Sequence, residues 1–437
     1  MNNNIFQLGI TRKPTFKFTI TTTSTPQDFT LPLINGGTYN FTVNWGDGTA
    51  NSTITAYNVG NIHSYAIPGT YTISMWGTCT QFAFNNAGDK LLINKLLDFI
   101  DMGFTVLNFY GCSNLTTIAS SMKKLKSLTT AVNMFYGCTS LTLIPSGIFE
   151  GCIAITTFVY TFRSCTSLTS IPADLFRYNT VVTNFQGTFR NCAGLTSIPT
   201  DLFRYNTIAT TFFYTFLGCT SLTSIPADLF RYNTVVTNFQ GTFQDCTSLT
   251  SIPTDLFRYN TVVTNFQNTF RNCAGLTSIP TDLFRYNTIA TTFSYIFLDC
   301  ISLTSIPTDL FRYNTVVTNF QGIFQGCTSL TSIPTDLFRY NTIVTNFSYT
   351  FYGCAKAQYN INIFYAVGEE GTRFSNKTVN FDSCFYRTSF SGIQGTAPDL
   401  WNCDFGTGTP NKTTCYGGAG NSLTSLTNYT DIPVEWK

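Results

Sequence analysis

Apolar residues in the middle of this chain recur at intervals of three to five. Across residues 192–218 they are Cys192, Leu195, Ile198, Leu202, Phe203, Ile208, Phe212 and Phe216. An amphipathic helix repeats about every 3.6 residues and a half-buried strand about every 2. The observed spacing suits neither for long, so it predicts a coil of short straight segments joined at corners. "LTSIP" reads as a short strand closed by proline, "DLFRYN" as a helical turn begun by Asp, "TVVTNF" as a second extended segment and "GTFRNC" as a tight corner. Asn179 and its equivalents follow Tyr, where a left-handed residue would help end the turn.

The pattern repeats. Seven units of 27 residues begin at Cys165, Cys192, Cys219, Cys246, Cys273, Cys300 and Cys327, each carrying "SIP", Ala or Thr, then "DLFRYNT". A fixed period of this size marks a solenoid. Degenerate copies, "FYGCSNLTTI" at 109–118, "MFYGCTSLTLIPSGIF" at 134–149 and "TFRSCTSLTSIP" at 161–172, extend the array, and Cys138 to Cys354 form an unbroken ladder of nine thiols. Each repeated residue should lie over its copy at the strand spacing of about 4.8 Å, so that ten coils make a rod on the order of 50 Å long. Cysteine is a small hydrophobe suited to a narrow interior corner. Stacked side chains point in parallel rather than at one another, which predicts buried free thiols instead of disulfides. The odd total of fifteen cysteines agrees, as would folding in a cytosol.

The elements "VTNF", "TF" or "MF", "GC" and "SLTSIP" resemble the BspA-like leucine-rich repeats of bacterial surface proteins and of phage proteins that share them, over roughly 90–355. Residues 13–86 differ: "FKFTITTTSTPQDFTLPL", "TYNFTVNWGDGTA" and "IHSYAIPGTYTISMWG" alternate apolar and polar positions between Gly, Asn and Pro turns, which predicts a small antiparallel β-sandwich. Trp45-Gly46-Asp47-Gly48-Thr49, His63-Ser64-Tyr65 and Pro68-Gly69-Thr70-Tyr71 resemble the PKD-like immunoglobulin-type domain in their strand-turn-strand signature. From 356 onward the period is lost and Gly, Thr and Asn rise, as expected of a polar cap over the last coil; Trp401, Tyr429 and Trp436 are expected to pack on it. The expected fold is mainly β. An N-terminal arm (1–12) and an immunoglobulin-like β-sandwich (13–86) precede a leucine-rich-repeat solenoid of 27-residue coils (87–355, with an N-terminal cap at about 87–110) and a C-terminal capping region (356–437).

Composition narrows the function. With 24 basic and 22 acidic residues and only 11% charged, no basic field for nucleic acid or anionic lipid is visible. Aromatics make up 16%, with 42 Phe and 23 Tyr, a β-rich composition rather than a disordered one. The start "MNNNIFQLGITRKPTF" carries no basic and apolar signal pattern, and no uninterrupted apolar run of about 20 residues occurs; the reading is a chain without a Sec address and without membrane insertion. With one histidine, His63, no nucleophile–histidine arrangement can be assembled, and a structural role near the Gly-Asp-Gly turn is expected for it. Cys79, Cys403 and Cys415 lack zinc spacing. Asp47, a single carboxylate, makes a poor calcium site and reads as part of a tight hairpin. No cofactor, no metal and no catalysis are expected.

Each "DLFR" places an Asp three residues before an Arg, from Asp174 and Arg177 to Asp336 and Arg339, so that the pair shares one side of a helical turn. Stacking would align Arg177, Arg204, Arg231, Arg258, Arg285, Arg312 and Arg339 beside Tyr178, Tyr205, Tyr232, Tyr259, Tyr286, Tyr313 and Tyr340. Such a ladder is either a solvated row of ion pairs or a polar, aromatic strip that stacks on a sugar or docks a protein. The pair after "TNF" or "TTF" varies among copies and includes Phe213, Tyr214, Tyr295 and Tyr349. Packing that tolerates all the variants implies a solvent-facing strip, shaped either by drift or by ligand contact. The implied function is a non-enzymatic phage virion protein, a fibre, decoration or adsorption component assembled in the host cytoplasm. The alternative is a bacterial cell-surface adhesin. Expected partners are virion proteins or a host-surface glycan or protein, with homo-oligomerisation and no nucleic acid.

Overall fold

The computed structural model describes residues 15–119, 122, 125–366, 368–387, 395–418 and 426–437, so the arm expected at 1–12 lies outside it. Regular structure is mainly β. Alternating sequences form β1 (Phe16–Thr22), β3 (Tyr39–Asn44) and β6 (Gly69–Cys79), which bury Phe16, Phe18, Ile20, Phe41, Val43, Ile73 and Met75 on one face. With β4 (Ser52–Ile54) and β8 (Ile93–Asp98) they make an antiparallel five-stranded sheet in the order β4-β3-β6-β1-β8. A separate ribbon of β2 (Gln27–Thr30) and β5 (Ile62–Tyr65) packs against this sheet through Phe29, whose ring lies 6.1 Å from Phe18.

The segment expected as an N-terminal cap joins both parts of the molecule. Its strand β8 closes the sheet against β1, and Lys95 in β8 also bridges in parallel to Thr117 of the first coil. Next to it, β7 (Gln81–Ala83) pairs in parallel with β9 (Val106–Asn108), and Phe109 stacks on Phe135 at 5.9 Å. One continuous apolar core therefore runs from Phe16 to Trp436.

Beyond β9 the chain winds as coils stacked in parallel. Bridges climb from Thr157 to Asn184, Thr211, Asn238, Asn265, Thr292, Asn319 and Asn346, one per coil at steps of 27. The strand expected at "TVVTNF" is thus reduced to one bridging residue per coil, and "LTSIP" carries isolated bridges only at Ser305–Ser332 and Ser332–Gln358, its other copies being linked by single bonds such as Thr196 N–H to Thr169 O at 3.3 Å. "DLFRYN" is helical in the expected sense: Leu202, Arg204 and Asn206 donate to the carbonyls of Pro199, Asp201 and Phe203.

Three phenylalanine columns fill the interior. They pass through Phe176, Phe185 and Phe189, and rings in neighbouring coils lie 5.3–6.4 Å apart along them. The backbones of successive coils are joined directly, as where Phe158, Tyr160 and Phe162 donate to the carbonyls of Asn184, Gln186 and Thr188 at 2.9–3.0 Å. Ile208, expected inside, is 46% exposed; the turn over Asn206 brings Ala209 inward in its place.

All fifteen cysteines are buried and unpaired. From Cys138 to Cys354 each ladder thiol donates to the carbonyl of a phenylalanine in the preceding coil at 3.1–3.4 Å. Burial pushes the Cys192 and Cys354 thiols up to about 12, so a thiolate hardly forms.

Asn179 and its equivalents are not left-handed. They form a buried column in which each side-chain amide donates to two carbonyls of the preceding coil: Asn260 reaches Asn233 O at 2.9 Å and Phe230 O at 3.0 Å. The left-handed residues stand at two corners instead. One column runs through Tyr160, Gly187, Tyr214, Gly241, Asn268, Tyr295, Gly322 and Tyr349 (φ 55–59°), the other through the residue before each ladder cysteine.

After 356 the 27-residue period lapses but the stack does not. Bridges continue from Asn346 to Asn380 and Asn411, steps of 34 and 31, and Phe351 is followed by Phe385 and Tyr416 at 5.6 and 5.1 Å. Trp436 covers Phe381 and Tyr416 at 6.3 and 6.4 Å, while Trp401 and Tyr429 pack at the rim of the same core. Among the described residues no helix is long and apolar enough to cross a membrane.

Candidate functional site: an arginine and tyrosine ribbon

Phe176 and its copies anchor the "DLFRYN" turn in the core, so the next two residues must point outward. Tyr178, Tyr205, Tyr232, Tyr259, Tyr286 and Tyr313 are exposed, and Tyr340 is half-buried at the end of the row. Each arginine from Arg177 to Arg285 lies over two tyrosine rings, while Arg312 and Arg339 both lie over Tyr340. Arg231, for instance, sits 5.9 Å from Tyr232 in its own coil and 5.2 Å from Tyr259 in the next. The same relation links Arg177 to Tyr205, Arg204 to Tyr232, Arg258 to Tyr286, Arg285 to Tyr313 and Arg312 to Tyr340, at 4.9–5.4 Å. Interleaved rings separate guanidinium groups that would otherwise repel. Exposed cation–π contacts of this kind are individually weak.

The aspartates complete the row. Asp201, Asp228, Asp255 and Asp282 lie 3.4 Å from their arginines, Asp309 lies 3.3 Å from Arg312, and Asp336 lies 3.8 Å from Arg339. Asp174 accepts from the Ser146 hydroxyl at 2.7 Å. About half exposed, these pairs are screened by solvent and add little to stability. Alongside runs a second exposed row: Val181, Ile208, Val235, Val262, Ile289, Val316 and Ile343. The ribbon thus offers phenol edges, guanidinium edges, threonine hydroxyls and a narrow apolar rail, while arginines already occupy much of its ring-face area.

The varied strip does not face solvent as expected. Phe213, Tyr214, Tyr295 and Tyr349 are half-buried, and Ser294 and Ser348 are buried. The variation has a packing reason. A Cβ on Gly187, Gly241 or Gly322 would collide with the ring of Tyr160, Tyr214 or Tyr295 one coil below. Each of these tyrosines therefore fills the place left by the next coil's glycine, and the two residues must vary together. Sequence comparison at one-unit spacing misses this pairing. At three-unit spacing the alternation returns: Tyr214 and Gly241 recur as Tyr295 and Gly322, and residues 165–245 and 246–326 differ at only nine positions.

The C-terminal end of the ribbon holds residues that the sequence reading passed over. Arg373, at the end of α1 (Glu370–Arg373), donates to Phe338 O at 3.2 Å and Asn341 O at 3.0 Å, the partners that the next asparagine of the buried column would have taken. Glu369 pairs with Arg339 at 2.7 Å, and Lys377 donates to Thr342 O at 2.9 Å. Together with Tyr340 these side chains line an open groove.

Comparisons with known proteins follow this repeat. Residues 156–281 and 237–365, two overlapping stretches covering just under half of the chain, match the family model described as "Mycoplasma protein of unknown function, DUF285". Similar solved structures include a chain of the Drosophila Toll–Spatzle complex at 18% identity and TM-score 0.29; the alignment covers 57% of this chain and 36% of that one. A leucine-rich cell surface protein of Faecalibacterium prausnitzii A2-165 has 17% identity and TM-score 0.27, over 79% of this chain and 99% of that chain. The glycosylated form of the Toll–Spatzle complex gives 15% identity and TM-score 0.23, over 72% and 54%. No curated protein matches the chain in sequence.

A further titratable pair lies between the Gly-Asp-Gly turn and β5. His63 Nε2 lies 2.7 Å from Asp47 Oδ2, and its ring stacks on Trp45 at 4.8 Å. Burial acts to raise the Asp47 carboxyl, but hydrogen bonds from Thr49 and His63 outweigh it and hold the group at about 2. Tyr65 donates to Trp45 O at 2.9 Å. The pair ties the Gly-Asp-Gly turn to β5, the structural role expected for His63. Among the described residues no group of three or more His, Cys, Asp or Glu side chains is arranged to hold a metal.

Proposed function

We propose that this protein is a non-enzymatic attachment protein, a BspA-like leucine-rich-repeat solenoid carried on a PKD-like domain and displayed on the outside of a bacterial cell or a phage virion. The observation that carries the reading is the ribbon in which each arginine from Arg177 to Arg312 lies over the tyrosine of the next coil, up to Tyr340. A periodic ribbon suits an extended partner that makes many equal, individually weak contacts. Its chemistry favours hydrogen bonding by phenol and guanidinium edges over stacking of sugars on ring faces. The fifteen unpaired thiols favour the virion form of the reading, because a phage component folds in a reducing cytosol.

The test is the triple variant Tyr232→Ala, Tyr259→Ala and Tyr286→Ala, with attachment to host or producer cells measured beside thermal unfolding. A single substitution should change attachment less than about threefold. The triple should weaken it tenfold or more, by loss of about 0.5–1 kcal/mol per contact made on each ring, while Tm moves by only a few degrees. Wild-type attachment by the folded triple variant would remove the ribbon from consideration.

A further inference from the structure

The groove at the end of the ribbon carries more positive charge than its own carboxylate can balance. Arg339, Arg373 and Lys377 line it against Glu369 alone, three cations to one anion and an excess of two. Glu369 is already engaged by Arg339 at 2.7 Å and by the amide of Ala366 at 3.0 Å. Asp336 approaches Arg339 at 3.8 Å from outside the groove.

Among the described residues the hydrogen-bond partners of the Arg373 and Lys377 side chains are backbone carbonyls, and the Arg373 guanidinium also lies 4.6 Å over the Phe374 ring. The Arg373 side chain donates to Phe338, Asn341, Thr342 and Phe364, and that of Lys377 donates to Thr342 O at 2.9 Å and Arg373 O at 3.0 Å. Two like charges thus share the Thr342 carbonyl. Burial holds both below their ordinary range, Arg373 at about 10, and for Lys377 the neighbouring Arg373 adds to the effect. An ammonium has three donors, so Lys377 retains one for a ligand. Its side chain is half-exposed at the mouth of the groove.

We infer that this groove is an anion subsite that receives the carboxylate of an acidic polysaccharide whose chain continues along the ribbon. An incoming carboxylate accepts the remaining Lys377 N–H and offsets the positive charge of Arg373 and Lys377 that Glu369, already paired with Arg339, balances only in part. Threonine hydroxyls at Thr315, Thr342 and Thr372 line the same groove and match the hydroxyls of a sugar ring. Tyr340 and Arg339 connect the groove to the row of rungs behind it, which suits a polymer better than a small free anion. The inference rests on the attachment reading and names the class of ligand for the same surface.

The experiment uses the full chain and two immobilised polymers, polygalacturonate and neutral galactan, with binding followed between low and physiological salt. Wild type should prefer polygalacturonate, and the preference should shrink as salt rises. Lys377→Gln should weaken polygalacturonate binding about tenfold, the loss of one charge-assisted contact. Lys377→Arg should restore most of it, and galactan binding should fall far less than polygalacturonate binding in both variants, with thermal unfolding confirming that both are folded. Equal binding of the two polymers, or a folded Lys377→Gln variant that binds as wild type does, overturns the subsite. An acidic peptide such as polyglutamate that binds more tightly than polygalacturonate also overturns it, since the hydroxyl match would then be irrelevant. These outcomes leave the ribbon's own test, the triple tyrosine variant, intact. If instead the triple variant attaches normally while Lys377→Gln loses polygalacturonate, the attachment reading fails and the subsite stands.

Discussion

Tyrosine rarely adopts a left-handed backbone, yet Tyr160, Tyr214, Tyr295 and Tyr349 all do, at φ 55–59°. Each holds this conformation because its ring is seated on the following coil, on Gly187, Gly241 and Gly322 in the first three cases. The hydroxyl of Tyr160 is further fixed by the Gln186 amide at 2.7 Å. At this scale Gly241→Ala should cost about 2 kcal/mol, from a left-handed alanine and a collision with the Tyr214 ring. In a Tyr214→Ala background the same change should cost only the backbone part. Denaturant unfolding of the four proteins measures the coupling; strict additivity would contradict the seat. The pairing could be read in the sequence only as an unexplained alternation, since nothing in one unit tells which residue lies beneath it.

Among the elements, the buried asparagine column fixes how one coil sits on the next. Side-chain amides at Asn179, Asn206, Asn233, Asn260, Asn287, Asn314 and Asn341 each bridge two carbonyls of the coil below, starting from Cys152 and ending under Arg373. Each leaves its own Oδ1 buried with no hydrogen-bond partner among the described residues, so the column holds register at some cost in stability. Asn260→Ala should destabilise by about 1–3 kcal/mol, since buried carbonyls lose a donor. Asn260→Asp should destabilise more at neutral pH, where a carboxylate would face those carbonyls. Because burial would raise that carboxyl above its unfolded value, the deficit should shrink as pH falls toward 4. Equilibrium unfolding at pH 7 and near pH 4.5 checks both statements; an aspartate variant as stable as wild type at pH 7 would show that the amide is dispensable.

At the scale of the whole molecule, stability in a stack is close to a sum over coils and their neighbours, so which coil follows which matters. Removing residues 219–299, 81 in number, seats Tyr214 on Gly322, as Tyr295 sits on it now. Removing only 219–245, 27 residues, places Asn268 over Tyr214, where glycine is needed. The longer deletion should therefore unfold at the higher temperature, although it discards three coils instead of one. The reverse order, measured by calorimetry, would show that coil number outweighs coil matching. A deletion of 1–86 is a poorer probe of the N-terminal domain than the sequence suggests. It would strip β8 of its partner β1 and open the core that runs on into the first coils.

By itself the sequence determined the coil period, the thiols that point inward, the outward arginine and tyrosine row and the alternating strands of the first domain. All of these follow from local periodicity, because a repeat of 27 residues forces each residue into the environment of its copy. Tertiary structure alone decided what depends on contact between different coils. It put the asparagines inside, replaced the expected strands by single bridges and left the varied strip half-buried. It also carried the stack past the end of the regular period to Tyr416 and brought Arg339, Glu369, Arg373 and Lys377 to one groove. The physical reason is the same throughout: a side chain in a stack is selected against the residue above or below it, a neighbour one coil away that no pattern within a single unit displays.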